Sequence, residues 1–220
     1  MLEHHRETTE CQEGKSLKLN SACIDFCAFM KLINISTDTK SLYRLKENEK
    51  IVFFLFNRGG EITFDLRGNH SEAHIIALFD LTNDARLESR ITQIHRGADT
   101  ISSFAGRSIL RGNASCSWQG LLSIKSSALH TDAHQEMKHL LLSPLAGAFS
   151  LPALEIEQND VRCGHAATMS APDPEQLFFL QSRGLSETQA IELIAQGFFQ
   201  DMLEKIEVLT GVKEIPAFSL

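Results

Sequence analysis

The chain of 220 residues is 43% hydrophobic and 22% charged, with a formal net charge of −7, so we expect one or two domains with a sizeable core rather than disorder or a coiled coil. The negative charge and the lack of basic runs argue against nucleic-acid binding through phosphate neutralisation. No apolar run approaches the ~18 residues that cross a bilayer, and the polar, acidic start does not resemble a signal peptide, so we expect a cytoplasmic protein without membrane contact.

The first predicted region is an N-terminal segment over residues 1–48. Its first 20 residues are polar and we expect partial disorder there, whereas residues 21–33 could form a helix. On that helix Cys23 and Cys27 would share a face, where core packing is the usual role of cysteine and a zinc site is the alternative. The five cysteines of the chain are an odd number, which argues against a disulfide framework.

Residues 49–170 contain many short strand-like runs. Residues 51–56 are wholly apolar, residues 61–66 alternate apolar and polar side chains, and glycine-containing turns follow both runs. Strands of about five residues with turns every ~8–12 residues most often predict an all-β sandwich or barrel. The residues alone do not separate these folds from a solenoid, and we find no crisp internal repeat.

Residues 171–220 are predicted to form a helical subdomain. Asp173 is a helix N-cap followed by a proline at the first helical position, and Gly184 marks the end of that helix. A second start signal begins at Ser186, and Gly211 ends the second helix. Between them, apolar side chains recur every three or four residues and predict a buried stripe: Ile191, Ile194, Ala195, Phe198, Met202 and Ile206.

Cys163 and His165 form the most specific chemical pattern in the chain. They are two residues apart in a strand-like run, so both side chains would lie on one face of the strand. A thiol and an imidazole could supply one soft and one borderline ligand to a metal ion or a sulfur species. The ordinary alternative is core packing for the cysteine and a structural hydrogen bond for the histidine.

Two further groups of residues are weaker candidates. His130, Asp132 and His134 would share one face of a strand and could bind a metal, although such a pattern is more often a solvated polar face. Glu155 and Asp160 could be the acid/base pair of a solenoid enzyme that acts on carbohydrate, but one Trp and one Tyr give few surfaces for stacking sugars. No phosphate-binding glycine loop is present, so we expect no ATPase activity from this chain itself.

Short motifs around these residues resemble the SufB/SufD family of the Suf iron–sulfur cluster assembly system. LEI, DV-C-H-AT and LF-L-SRG occur in order within residues 154–184, and further matches lie upstream at residues 94–100, 131–135 and 140–143. The resemblance covers residues 45–210 and is closer to SufD, of which the chain would be a short form. It implies a right-handed parallel β-helix core, so we predict a mainly β protein with a β-solenoid over residues 49–170 and C-terminal helices.

The resemblance also implies a function: a scaffold subunit of a SufBCD-like assembly complex that is not itself an enzyme. Its partners would be a SufC-like ABC-type ATPase and either a SufB-like subunit or a second copy of the chain. Cys163 and His165 would handle the iron–sulfur cluster, its iron or its sulfur, held transiently and not necessarily by the isolated chain. The ATPase would dock on the helices, at Leu177, Phe178, Arg183 and Phe198.

Ala166 departs from the family pattern, since SufD-like chains often have glycine there and SufB-like chains have glutamate. Alanine supplies no carboxylate ligand, which argues against SufB-type cluster ligation by this chain. Two functions from other classes remain open. One is a β-solenoid carbohydrate-active enzyme, and the other is a purely structural dimerisation module in which Cys163 and His165 are buried.

Overall fold

The computed structural model describes residues 29–215, which form a stack of short strands followed by two helices. Within this range the strands are β1 (Lys31–Asn34), β2 (Leu42–Leu45), β3 (Lys50–Phe56), β4 (Gly60–Leu66), β5 (Glu72–Leu81), β6 (Arg86–His95), β7 (Ile101–Leu110), β8 (Ser115–Ile124), β9 (Thr131–Leu141), β10 (Gly147–Ile156) and β11 (Val161–Ser170). The helices are α1 (Pro174–Ser182) and α2 (Glu187–Thr210).

The chain alternates between two parallel sheets. The odd sheet contains the odd-numbered strands in the order β1-β3-β5-β7-β9-β11, and the even sheet contains β2-β4-β6-β8-β10. Each strand pairs in parallel with the strand two places along the chain. One strand of each sheet therefore belongs to every coil, which confirms the predicted parallel β-solenoid and excludes an antiparallel sandwich.

The stack of strands begins at Lys31, before residue 49, where the turn pattern placed the start of the solenoid. The predicted helix over residues 21–33 lies mostly outside the described residues, as do Cys23 and Cys27. Its last three residues instead belong to β1, which pairs with the apolar strand β3. Pairing with an exposed strand edge decides the structure here, because local helix preference is a weak prior.

One corner of the solenoid repeats in successive coils. Asn48, His70, Asp99 and His130 occupy equivalent positions just before odd-numbered strands, and their φ angles are 58°, 57°, 55° and 55°. Among residues other than glycine, Asn, Asp and His are enriched in this left-handed conformation. These residues form the internal repeat that the sequence pattern did not reveal, because it consists of one residue per coil at unequal spacing.

Aromatic side chains fill much of the space between the two sheets. The rings of Phe53 and Phe64 lie 4.8 Å apart, and Phe104 stacks on Trp118 at 5.1 Å. All four side chains are almost completely buried. Full burial of a large apolar side chain contributes about 1.5–3 kcal/mol, so this aromatic column is a main source of stability for the coils.

Helix α2 covers the outer face of the odd sheet. Ala195, Phe199, Met202 and Ile206 are buried against the outward-facing apolar residues of β3, β5 and β7. The predicted apolar stripe therefore packs against the solenoid. Phe199 was missing from the predicted stripe, and it is completely buried, whereas Phe198 is half-buried.

The predicted helix boundaries are confirmed. Asp173 caps α1 by accepting a hydrogen bond from the backbone of Glu175, and Pro174 is the first helical residue. Ser186 forms a capping box at the start of α2, and Gly211 ends α2 in the left-handed conformation with a φ of 70°. Within residues 29–215, neither helix is long and apolar enough to span a membrane.

Candidate functional site

The C-terminal coil leaves one end of the solenoid open. Strand β11 is the last strand of the odd sheet and pairs with β9 along ten residues. Strand β10 is the last strand of the even sheet and pairs with β8. In the described part of the chain no further strand follows in either sheet, so both strands present a free edge.

Cys163 and His165 lie on β11 and point toward the interior side of the solenoid. They are in register with Ala133 and Gln135 of β9, both of which are buried. The cysteine is half-buried, whereas the histidine is exposed at the open end. The structure therefore places the predicted pair on one face.

The thiol of Cys163 packs beside the buried side chains of Leu122, Ile124 and Ala133. Burial raises the pKa of this thiol, because a charged thiolate is poorly solvated there. A raised pKa disfavours the nucleophilic thiolate in the isolated chain. Metal binding would have to displace the proton from this sulfur.

The pair has no third ligand beside it in the part of the chain that the structure describes. Among residues 29–215, no group of three or more His, Cys, Asp and Glu side chains is placed to hold a metal ion. Two ligands from one subunit are too few for a closed metal or cluster site, which ordinarily has four protein ligands. The donor set therefore fits a site that is shared with another molecule.

Gln135 is a further polar group beside the pair, and the sequence pattern did not single it out. Its Nε2 donates a hydrogen bond to Gln93 Oε1 at 2.8 Å, but its buried Oε1 has no hydrogen-bond partner in the described structure. Because unpartnered buried oxygens are rare, this atom marks an incompletely satisfied interior next to His165. Gln135 could have been recognised in the sequence from its position two residues after Ala133, because residues two apart in a strand lie on the same face, here the inward face of β9.

Two histidines lie inside the solenoid rather than on its surface. His95 Nδ1 is 2.7 Å from Thr100 Oγ1, and its Nε2 is 2.7 Å from Ser102 Oγ. His139 lies between Ser108 and another serine, at 2.6 and 2.8 Å. Burial lowers the pKa of His95 to about 3 and that of His139 to about 4, so both imidazoles are neutral and serve as hydrogen-bonding groups of the core.

The predicted H-x-D-x-H pattern does not form a single cluster. His130 lies in the corner turn before β9, where its two ring nitrogens are 3.0 and 3.2 Å from carboxylate oxygens of Asp99 and Asp160. Asp132 and His134 are on β9 and pair with each other at 3.0 Å. Because His130 lies in the turn, the three side chains do not share one strand face as expected, but both histidines are exposed, in agreement with the more usual solvated polar surface.

The second candidate pair, Glu155 and Asp160, also has a different setting from the one expected. Glu155 is an exposed residue of β10, in register with Ser123 of β8. Asp160 lies in the turn before β11 and is occupied by the imidazole of His130. The structure thus gives Asp160 a structural partner in the corner turn.

The candidate docking residues on the helices are divided between two environments. Helix α1 buries none of its side chains, and Phe178 is 74% exposed. Arg183 lies 5.2 Å from the ring of Phe179, and Leu177 is half-buried. Phe198 instead lies 5.8 Å from the buried Arg107 of the odd sheet, so it contributes to packing of α2.

A shallow depression of ≈ 390 Å³ lies between the two helices. Its lining includes the apolar side chains of Phe179, Leu180 and Ile194, together with polar residues from the start of α1. Phe179 was not among the predicted docking residues, although it follows Phe178 in the first helix and is itself 55% exposed.

The described residues form a parallel β-solenoid with a Cys–His pair on its last strand and two appended helices. Residues 42–198 match the SufBD core domain of the SUF system for FeS cluster assembly. This match covers most of the chain, which therefore belongs to the SufBD family.

Several curated relatives agree with this assignment. An iron–sulfur cluster assembly SufBD family protein of Mycobacterium tuberculosis is 35% identical over 149 residues, which is 64% of this chain and 38% of the relative. One from Mycobacterium leprae is 34% identical over 149 residues, again 64% of this chain and 38% of the relative. A second Mycobacterium tuberculosis relative is 25% identical over 155 residues, 68% of this chain but 18% of that protein. The chain thus spans well under half the length of the relatives it matches.

Proposed function

We propose that this chain is a SufD-like short-form scaffold subunit in iron–sulfur cluster assembly, and that its open end is completed by a second solenoid. The second solenoid is a SufB-like subunit or another copy of this chain. The observation that carries the proposal is the placement of Cys163 and His165 on one face of the terminal strand, without a third ligand nearby among the described residues. Membership of the SufBD family indicates what the pair would bind: an iron–sulfur cluster, or its iron or sulfur.

The free edges of β10 and β11 support association with another strand. Each edge is ten residues long and would present unpaired backbone donors and acceptors. Exposed apolar side chains accompany these edges, including Phe149, Leu151 and Met169, each about half exposed. Covering them removes apolar surface from water at the same place where the backbone gains hydrogen bonds.

The chemistry of the pair fits a shared site. A neutral imidazole and a deprotonated thiol are both ligands for iron in proteins, and two from each subunit would complete a four-ligand set. Because burial raises the pKa of Cys163, binding of iron to its sulfur must release the thiol proton. His165 is exposed, so its ring nitrogens are accessible from solvent and it is the better first ligand.

The exposed face of α1 is the proposed contact for an ABC-type ATPase partner. Phe178 and Phe179 are exposed on a helix none of whose side chains is fully buried, and Phe179 lines the apolar depression between α1 and α2. The chain has no phosphate-binding glycine loop of its own, so any nucleotide-driven step requires a partner. Leu177 and Arg183 belong to this surface, whereas Phe198 supports it by fixing α2 to the odd sheet.

The decisive experiment is anaerobic reconstitution of the chain with a SufC-like ATPase, with and without a SufB-like subunit, followed by iron and sulfide analysis. His165→Ala should lower the iron content while the complex keeps its size and melting temperature. His134→Ala is the matched control, because His134 lies on the adjacent strand in register with Gly164 and is also exposed. Equal iron and sulfide contents in wild type and His165→Ala would show that the pair is structural.

A further inference from the structure

Three arginines surround one buried carboxylate on the outer face of the even sheet. Asp65 has a side chain that is only 4% exposed, and Arg67 Nε and Arg96 Nε lie 2.6 and 3.1 Å from its two oxygens. Arg44 Nε approaches the same carboxylate at 4.0 Å. We refer to Arg44, Arg67 and Arg96 as the arginine cluster.

The cluster is assembled by the coil repeat, not by the linear sequence. Arg67 and Arg96 occupy the same corner position in successive coils, where their backbone N–H groups donate to Leu45 and Leu66 of the preceding coil. Arg44 is in register with Asp65 in the parallel pair of β2 and β4. Parallel strands stack about 4.8 Å apart, which brings together guanidinium groups that are far apart in sequence.

The carboxylate accounts for only part of the positive charge. Three guanidinium groups and one carboxylate carry a net charge of +2 among these four side chains, in a protein whose formal net charge is −7. Glu157 also lies near Arg96, but its carboxylate is paired with Lys125 at 2.7 Å. Asp65 accepts charge-assisted hydrogen bonds from Arg67 and Arg96, which satisfy its buried carboxylate. Arg44 is therefore not needed to stabilise Asp65.

The terminal nitrogens of the arginine cluster support ligand binding more directly than its net charge does. Arg67 and Arg96 contact Asp65 through Nε, and within residues 29–215 their Nη groups have no hydrogen-bond partner. The arginines that hold other parts of this fold together bind through Nη: Arg58, Arg90, Arg107 and Arg111. The cluster therefore presents forked N–H donors to solvent while Asp65 fixes the guanidinium planes from below.

We propose that the arginine cluster binds a phosphate group. A phosphate carries a charge of about −1.5 to −2 at neutral pH and three acceptor oxygens, which match the net charge and the free donors of the cluster. The planar fork of an arginine can bind two oxygens of a phosphate group in bidentate fashion, which lysine does not. The phosphate is either free inorganic phosphate or the phosphate of a small metabolite, and the two sources share this recognition.

Isothermal titration at low ionic strength with inorganic phosphate and, separately, with adenosine monophosphate tests the proposal. Saturable binding should weaken by about ten-fold in Arg96→Gln, because a charge-assisted contact is lost. Arg90→Gln is the control, since Arg90 lies on the same sheet but its Nη groups are occupied by Glu61 and Gln119. Tighter binding of the nucleotide than of phosphate would identify a metabolite as the ligand.

The proposal fails if neither ligand gives saturable binding, or if Arg90→Gln weakens binding as much as Arg96→Gln. Displacement of phosphate by an equally concentrated acidic peptide would also overturn it, because the site would then recognise carboxylates. A thermal melt of each variant separates loss of binding from loss of the fold. Arg44→Gln, which removes the arginine farthest from Asp65, provides a second variant if Arg96→Gln does not fold.

Discussion

Acidification from pH 7 to pH 5 should destabilise this protein through its two interior histidines. Burial lowers the pKa of His95 to about 3 and that of His139 to about 4, whereas an unfolded histidine titrates near 6.5. Below pH 6.5 the unfolded chain therefore binds protons that the folded chain does not, and the free energy of unfolding falls as the pH falls. At pH 5 the loss is about 2 kcal/mol for each histidine.

The assay is urea-induced unfolding at pH 7, 6 and 5, compared between wild type and His95→Gln. Glutamine can keep hydrogen bonds to Thr100 and Ser102 but does not titrate. The variant should be less stable at pH 7, yet its loss between pH 7 and pH 5 should be smaller than that of wild type by about 2 kcal/mol. Taking the difference between two proteins cancels the titration of groups they share.

His134→Gln is the matched control, because His134 is an exposed histidine of β9. This variant should keep the acid destabilisation that His95→Gln reduces. If wild type and His95→Gln lose the same stability on acidification, His95 is not held neutral inside the solenoid, and the reasoning about the polar interior is wrong.

Three further outcomes follow from packing and burial. Phe199→Ala should lower the free energy of unfolding by about 3–5 kcal/mol in urea titrations, and the half-buried Phe198→Ala by clearly less. Gly97→Ala should destabilise the coil stack in a thermal melt, because its Cβ would lie 2.5 Å from a backbone oxygen of the neighbouring coil. Iodoacetamide should alkylate Cys163 much faster than Cys116, since burial raises the pKa of the latter thiol to about 12.

Controls for these outcomes exist in the same chain. Gly147→Ala should be tolerated, because the nearest atom to the added methyl group would be a side-chain carbon of Ser115, at 4.0 Å. The alkylation should be measured with Cys11, Cys23 and Cys27 replaced by serine. Equal stabilities of the two alanine variants on α2, an unchanged melting temperature of Gly97→Ala, or equal labelling of both thiols would each contradict the corresponding argument.

The helices could be predicted from the sequence in detail, because capping is local chemistry. Asp173, Ser186 and Gly211 act within a few residues of their own positions, and the structure has each of them in the predicted role. The solenoid could not be predicted from periodicity in the same way. Strand alternation is equally compatible with a sandwich, so the family resemblance decided between the two folds.

The coil repeat escaped detection for a physical reason. The corner needs one residue in the left-handed conformation, and three residue types occur there in successive coils: Asn48, His70, Asp99 and His130. The same corner assembles the arginine cluster from positions 23 and 29 residues apart, which look like isolated basic residues along the chain. Interior histidines were missed for a related reason, since a polar residue on an inward-facing strand position looks like one on a surface strand.

The position of Cys163 and His165 within a strand could be predicted, but the meaning of that position depends on where the stack ends. In a coil with another coil beyond it, an inward polar group can be satisfied by its neighbours, as His95 is by Thr100 and Ser102. At β11 no further coil follows among the described residues, and the pair on its inward face is left without such partners. Docking of a second solenoid there, as proposed above, would supply the missing neighbours.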